Sequence, residues 1–207
     1  MKCKSNFICL LASFLVILLS IVTVDVSFAQ TPKGGLKTIE ALNRDDVQAV
    51  SARIAYMYDA DAAIVEQYVQ AAVDIEGRSG VAAPIVIAIA IHESSFKSDL
   101  FLNSGNPFGI KASRPWTGPS YTKWHDGEET KFRKYSSAAE AVWDFSNFVK
   151  SRSWYADVFN CPMDDSRCVI DGLKKTDFEP GYSMNSNWDE AVMAIIQKVG
   201  LQALVTR

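Results

Sequence analysis

The sequence predicts an α+β domain, mostly α-helical, with one small antiparallel hairpin. Three observations predict it. From Thr38 onward, apolar residues recur mainly at three- and four-residue steps, the period of a helix with one buried face. One stretch, Tyr121 to Tyr135, sets a His-Asp-Gly turn between aromatic and charged residues, which is a hairpin signal. The composition is that of an ordinary globular protein: 207 residues, 48% apolar, 11% aromatic and 22% charged. Such a chain buries a real core, which excludes a disordered chain or a fibre. The net charge of −3 argues against a nucleic-acid partner, which needs a basic face for phosphates. No glycine-rich phosphate loop occurs, so no nucleotide is expected either.

Residues 1–29 read as an address. Lys2 and Lys4 form a basic start, Phe7 to Val24 is an uncharged apolar run, and Ser27 and Ala29 are small residues where a signal peptidase reads. Cleavage is expected after Ala29, giving a secreted or periplasmic protein. The alternative is a retained N-terminal membrane anchor, for which the run is slightly short. Removing the segment takes away Lys2, Lys4 and Asp25 and moves the net charge from −3 to −4. It also removes Cys3 and Cys9. The remaining pair, Cys161 and Cys168, lies in the loop segment CPMDDSRC and reads as a local disulfide in an oxidising compartment. The alternative is two reduced thiols. His92 and His125 show no ligand spacing to these cysteines, so neither a metal nor a cofactor is expected.

Residues 30–37 (QTPKGGLK) form a linker, and 38–207 a single domain. Its N-terminal segment, 38–76, is helical: Val50, Ile54 and Met57, then Ile64, Tyr68, Ala71 and Ala72, fall on one face. Gly77 to Gly80 punctuates, and Pro84 stands where a helix can start. The run Ile85 to Ile91 is ambiguous. Its β-branched residues suit a buried strand, and an all-apolar run suits a buried helix equally well. Gly105 to Gly109 is turn-rich. Ser136 and Ser137 open a helix, with Ser137 and Glu140 spaced as a capping box and Val142, Phe145, Phe148 and Val149 as its apolar stripe. A last helix starts near Asn187 and buries Trp188, Val192, Ile195, Ile196 and Val199.

The residue that suggests chemistry is Glu93. It lies just past the apolar run, after His92, and a carboxyl at the end of a buried element is partly desolvated, which raises its pKa. A general acid needs that property to hold a proton near neutral pH. Downstream come Asn106, Phe108 and Lys111, then Trp116, Tyr121 and Trp124, and later Tyr182. Aromatics stack on sugar rings, while Asn and Lys bond hydroxyl and amide groups. This supply suits a carbohydrate groove.

The ordered set HES, NPFGIK, WTG, FRKYSSAAEAVWDFSNF, GLKK and GYSMNSNW resembles glycoside hydrolase family 73, the peptidoglycan N-acetylglucosaminidases of autolysin and flagellar-muramidase type. The resemblance runs from about Val65 to Leu204. It implies a lysozyme-like fold in which the run before Glu93 is a helix. It also implies Glu93 as general acid, a groove lined by Asn106, Phe108, Gly109, Ile110 and Lys111, and an active-site role for Tyr182. The expected partner is the peptidoglycan glycan strand, and a monomer is the expected state.

The chain departs from the family pattern in four places. Ser95-Phe96 stands where many members carry Trp-Gly. His92 replaces a usual apolar residue. Trp188 stands where tyrosine is common. Lys123 is the position nearest to a hairpin glutamate found in many members. The second carboxylate that hydrolysis usually wants then falls to Asp126, Glu128 or Glu129, or is replaced by the substrate's own N-acetyl group with help from Tyr182. Two further readings stand beside the hydrolase: a lytic transglycosylase, which needs one carboxylate, and a non-catalytic wall-binding scaffold of the same fold.

Overall fold

The computed structural model describes residues 39–125, 127–174, 181–183 and 185–205. The signal segment 1–29, the linker 30–37 and Asp126 lie outside the described residues. The chain divides after Leu36, and every element below belongs to the unit Lys37–Arg207.

The N-terminal helical stretch forms two helices, α1 (Ile39–Tyr58) and α2 (Ala62–Ser79). The break is made by polar residues. Asp59 takes a left-handed φ of 53°, and the Asp61 carboxylate caps α2 by accepting the N–H groups of Ala63 and Ile64. The helix runs through Gly77 and stops at Gly80, whose φ of 73° is the left-handed conformation that ends helices.

The ambiguous apolar run is a helix, α3 (Ala83–Ser94). Every residue from Ala83 to Ile91 is buried. The helix packs against α2 and against the later segments Ser166–Leu173, Trp188–Val199 and Leu201–Leu204, so it needs no polar face. Its N-cap residue, Ala82, makes no side-chain cap bond. The cap comes from α2 instead: buried Glu76 accepts the Ala83 N–H at 2.8 Å.

A short helix with no periodic signature in the sequence, α4 (Asp99–Ser104), follows, capped by the Ser98 hydroxyl. It ends at Gly105, φ 64°, where a Cβ would lie 2.9 Å from the carbonyl oxygen of Tyr135. The hairpin is β1 (Ser120–His125) and β2 (Glu128–Arg133), antiparallel, with Lys123 opposite Thr130 and His125 opposite Glu128. Helix α5 (Ala138–Lys150) starts at Ser137, whose hydroxyl accepts the Glu140 N–H. The Glu140 carboxylate reaches back one residue further than a capping box requires, to the N–H of Ser136 at 2.8 Å.

A 3-10 segment, Ser153–Asn160, leads to α6 (Ser166–Leu173), and the Cys161–Cys168 disulfide joins them. Cys168 is therefore on a helix rather than in a loop. Helix α7 (Trp188–Val199) and a 3-10 turn, Leu201–Leu204, close the described chain. No helix among the described residues is long and apolar enough to cross a membrane.

Candidate active site

Glu93 occupies the last turn of α3. The helix stops there because Ser95 and Phe96 take left-handed φ values of 49° and 53°, which non-glycine residues rarely adopt. Burial holds them in place. Phe96 is fully buried with its ring 5.4 Å from that of Tyr68 and 5.6 Å from that of Phe101. The Ser94 hydroxyl donates to the Ala90 carbonyl at 2.8 Å and accepts the Phe96 N–H at 3.1 Å.

The Glu93 side chain opens into a cleft of about 550 Å³, a size that suits a few sugar units. The residue keeps an exposed side towards the cleft, and the protein around its carboxyl desolvates it enough to raise its pKa. The charge of His92 and a long hydrogen bond from the Trp188 indole, 3.4 Å, pull the other way without cancelling the rise. Glu93 thus combines a raised proton affinity with an open substrate space, the direction a general acid needs.

Tyr182 also lines the cleft. Its ring centre lies 5.3 Å from that of Trp188 and 5.8 Å from that of Phe145. Burial pushes its hydroxyl far up, and the nearby Glu93 charge adds to the shift. The phenol therefore stays protonated and donates to the Phe108 carbonyl at 3.1 Å. In this arrangement it fixes the cleft floor and is not a base. Phe108 borders the cleft from below, stacked on Phe145 at 4.4 Å.

Several residues expected in the groove sit elsewhere. Asn106 is buried, and it accepts the N–H groups of Phe108 and Ile110 and donates to the carbonyls of Ile110 and Arg133. Its hydrogen-bonding capacity is used in tying the 105–110 turn to β2, so it holds the groove wall and does not touch substrate. Trp116 packs beneath the Arg133 guanidinium at 4.7 Å and donates to the Pro119 carbonyl, outside the cleft lining.

The hairpin sorts its residues by alternation. Lys123 and His125 line the cleft, and Tyr121 and Glu128 share their face without reaching the lining. Trp124, 67% exposed, and its partner Glu129 are on the opposite face, pointing away. Lys111 joins the lining beside Phe132, to which its backbone is bridged. Among the described residues of the lining, Glu93 is the one carboxylate. Lys123 and His125 are not among the residues expected to line the groove. Alternation along β1 from Tyr121 is the signal that links them. No cluster able to hold a metal ion occurs among the described residues.

The glucosaminidase family, described as mannosyl-glycoprotein endo-beta-N-acetylglucosaminidase, matches residues 69–201, well over half of the chain. The peptidoglycan hydrolase FlgJ of Salmonella typhimurium is 28% identical over 135 residues, 59% of this chain and 41% of that protein. The chain thus spans about two fifths of the length of this relative. The solved glycoside hydrolase domain of the same Salmonella protein superposes with a TM-score of 0.55 at 26% identity, covering 66% of this chain and 86% of that domain. A peptidoglycan hydrolase from Sphingomonas sp. A1 shares the fold, with a TM-score of 0.56 at 24% identity over 69% of this chain and 91% of its own.

Proposed function

Since the chain belongs to the glucosaminidase family, glycoside hydrolase family 73, we propose that it hydrolyses the β-1,4 bonds of N-acetylglucosamine in peptidoglycan glycan strands, with Glu93 as general acid. The observation that carries this reading is the placement of Glu93. It ends an apolar helix, opens into the cleft, and has its proton affinity raised by desolvation. The FlgJ relative, a peptidoglycan hydrolase, supports the substrate.

In the reaction Glu93 delivers its proton to the glycosidic oxygen as the bond to the anomeric carbon breaks. In one route the positive charge developing on the sugar is met by the substrate's own N-acetyl oxygen. Water, passing its proton to the Glu93 carboxylate, then opens that intermediate and returns the β-anomer. A second reading is favoured by the register of the hairpin. Glu128 shares the face of Lys123 and His125, and water activated there on the far side of the ring returns the α-anomer. We further propose that residues 1–29 export the protein, with cleavage after Ala29, which N-terminal sequencing of the exported chain checks.

The test is clearance of purified cell walls by the wild type and Glu93→Gln, followed by analysis of the released ends. Clearance by the wild type alone supports the hydrolase. No clearance by either, with walls still bound, supports a binding scaffold. Reducing ends mark hydrolysis, and anhydro-sugar ends mark a transglycosylase. Proton NMR of freshly formed ends separates the two anomers.

A further inference from the structure

The protein is acidic overall, yet the cleft wall is not. Lys111 and Lys123 border it together with His125, and Glu93 is the one carboxylate among the described lining residues. Lys123 projects from the middle of β1, half-buried, on the face of the hairpin that carries His125. The Asp99 carboxylate at the start of α4 holds its ammonium at 3.3 Å. Both groups are in contact with water, at 35% and 62% side-chain exposure, so the pair is weak and an incoming anion can displace Asp99 at small cost. A neutral N-acetylglucosamine chain offers these lysines hydroxyl and amide oxygens but no charge to pair with.

The substrate class proposed above offers an anion at a suitable place. In the bond to be cleaved, the leaving oxygen is O4 of the muramic acid. Its lactyl group hangs from O3, the next oxygen on the same ring, so it travels with the atom that Glu93 protonates. While a stem peptide is attached, the lactyl carboxyl is consumed in an amide and is neutral. Once the peptide is removed, it is a free carboxylate.

We propose that Lys123, supported by Lys111, binds a free lactyl carboxylate on the sugar beside the scissile bond, making peptide-free glycan the preferred substrate. This rests on the glycan-cleaving reading of the site. It also orders the reactions: an amide-cleaving hydrolysis that strips the stem peptide supplies the substrate.

The experiment compares three substrates of matched length: peptide-free strands, the same strands with the lactyl carboxyls converted to simple amides, and peptide-bearing strands. The wild type is expected to favour free-acid over amidated strands about tenfold in kcat/KM, largely through KM, with the preference shrinking as salt rises. Lys123→Gln should bring that ratio towards one. Asp99→Asn, which removes the competing carboxylate, should increase it. Equal turnover of free-acid and amidated strands by the wild type overturns the proposal, as does a ratio unmoved by Lys123→Gln. A preference for peptide-bearing strands also overturns it, because the lysines would then serve the stem's own carboxylates. If the wild type cleaves none of the three, the catalytic reading falls. The carboxylate preference is then read from calorimetric binding of the same strands: affinity that depends on both the free acid and Lys123 supports it, and equal affinity overturns it.

Discussion

The indole N–H of Trp188 lies 3.4 Å from a carboxylate oxygen of Glu93, although 95 residues separate them in the chain. The last long helix thus reaches the residue at the end of α3 and adjusts its proton affinity. A donor facing a carboxylate favours the ionised form, so this contact lowers a pKa that desolvation raises. Trp188→Phe removes the donor and retains an aromatic ring. The pKa of Glu93 should rise further. A general acid works while protonated, so activity falls as pH rises through the Glu93 pKa. The alkaline limb of kcat/KM should therefore sit above the ordinary carboxylate range in the wild type and move to higher pH in Trp188→Phe. A limb that moves to lower pH contradicts the assignment.

Asn106 separates holding a groove from binding in it. Asn106→Ala strands the buried N–H groups of Phe108 and Ile110 and the Arg133 carbonyl, while the Ile110 carbonyl keeps the Arg133 N–H. A loss of about 2–4 kcal/mol in unfolding free energy is expected by denaturant titration. A substrate ligand would behave differently, with KM raised and stability unchanged.

Glu76 caps α3 from a neighbouring helix, accepting the N–H of Ala83 while buried. Glu76→Gln keeps an acceptor for that N–H and should cost about 1 kcal/mol or less. Glu76→Ala leaves the N–H unsatisfied and should cost about 2–3 kcal/mol. Chemical denaturation of the two variants checks the order. Equal stability in all three proteins would show that the cap contributes nothing.

Lys174 and Asp189 tie the end of α6 to α7 at 2.6 Å. The bond from the ammonium holds the Asp189 pKa below its ordinary value. The folded protein therefore binds this proton less readily than the unfolded chain. The resulting stability is present above the unfolded aspartate value of about 3.9 and is lost as pH falls through the lower folded value. Asp189→Asn should lower Tm at neutral pH and flatten the fall in Tm across the acid range. A parallel acid fall in both proteins rules the pair out as its source.

Glu93 was legible in the sequence because a single carboxylate follows seven apolar residues, and burial followed by an acid is a local pattern. The conformation of that run was not, since β-branched residues suit a strand and only packing on every side makes them a helix. The role of Asn106 is not legible, because position in a motif carries no information on burial. The hairpin was found, yet Trp124 was assigned to the groove it turns away from. Alternation says which residues share a face, and only the register against neighbouring elements says which face meets the cleft. Helix α4 has six residues, too few to establish a helical period, and the polar segment around Cys168 hid the start of α6.

The burial of α3 has a consequence for solvent exchange. From Ala83 to Ile91 no side of the helix meets water, and its neighbours come from both halves of the domain. A local opening that frays a hairpin or a terminal turn leaves these amides protected, so they exchange with deuterium only when the whole domain opens. Glu93, the group proposed to hand its proton to the substrate, stands two residues beyond the stretch whose own protons the solvent reaches last.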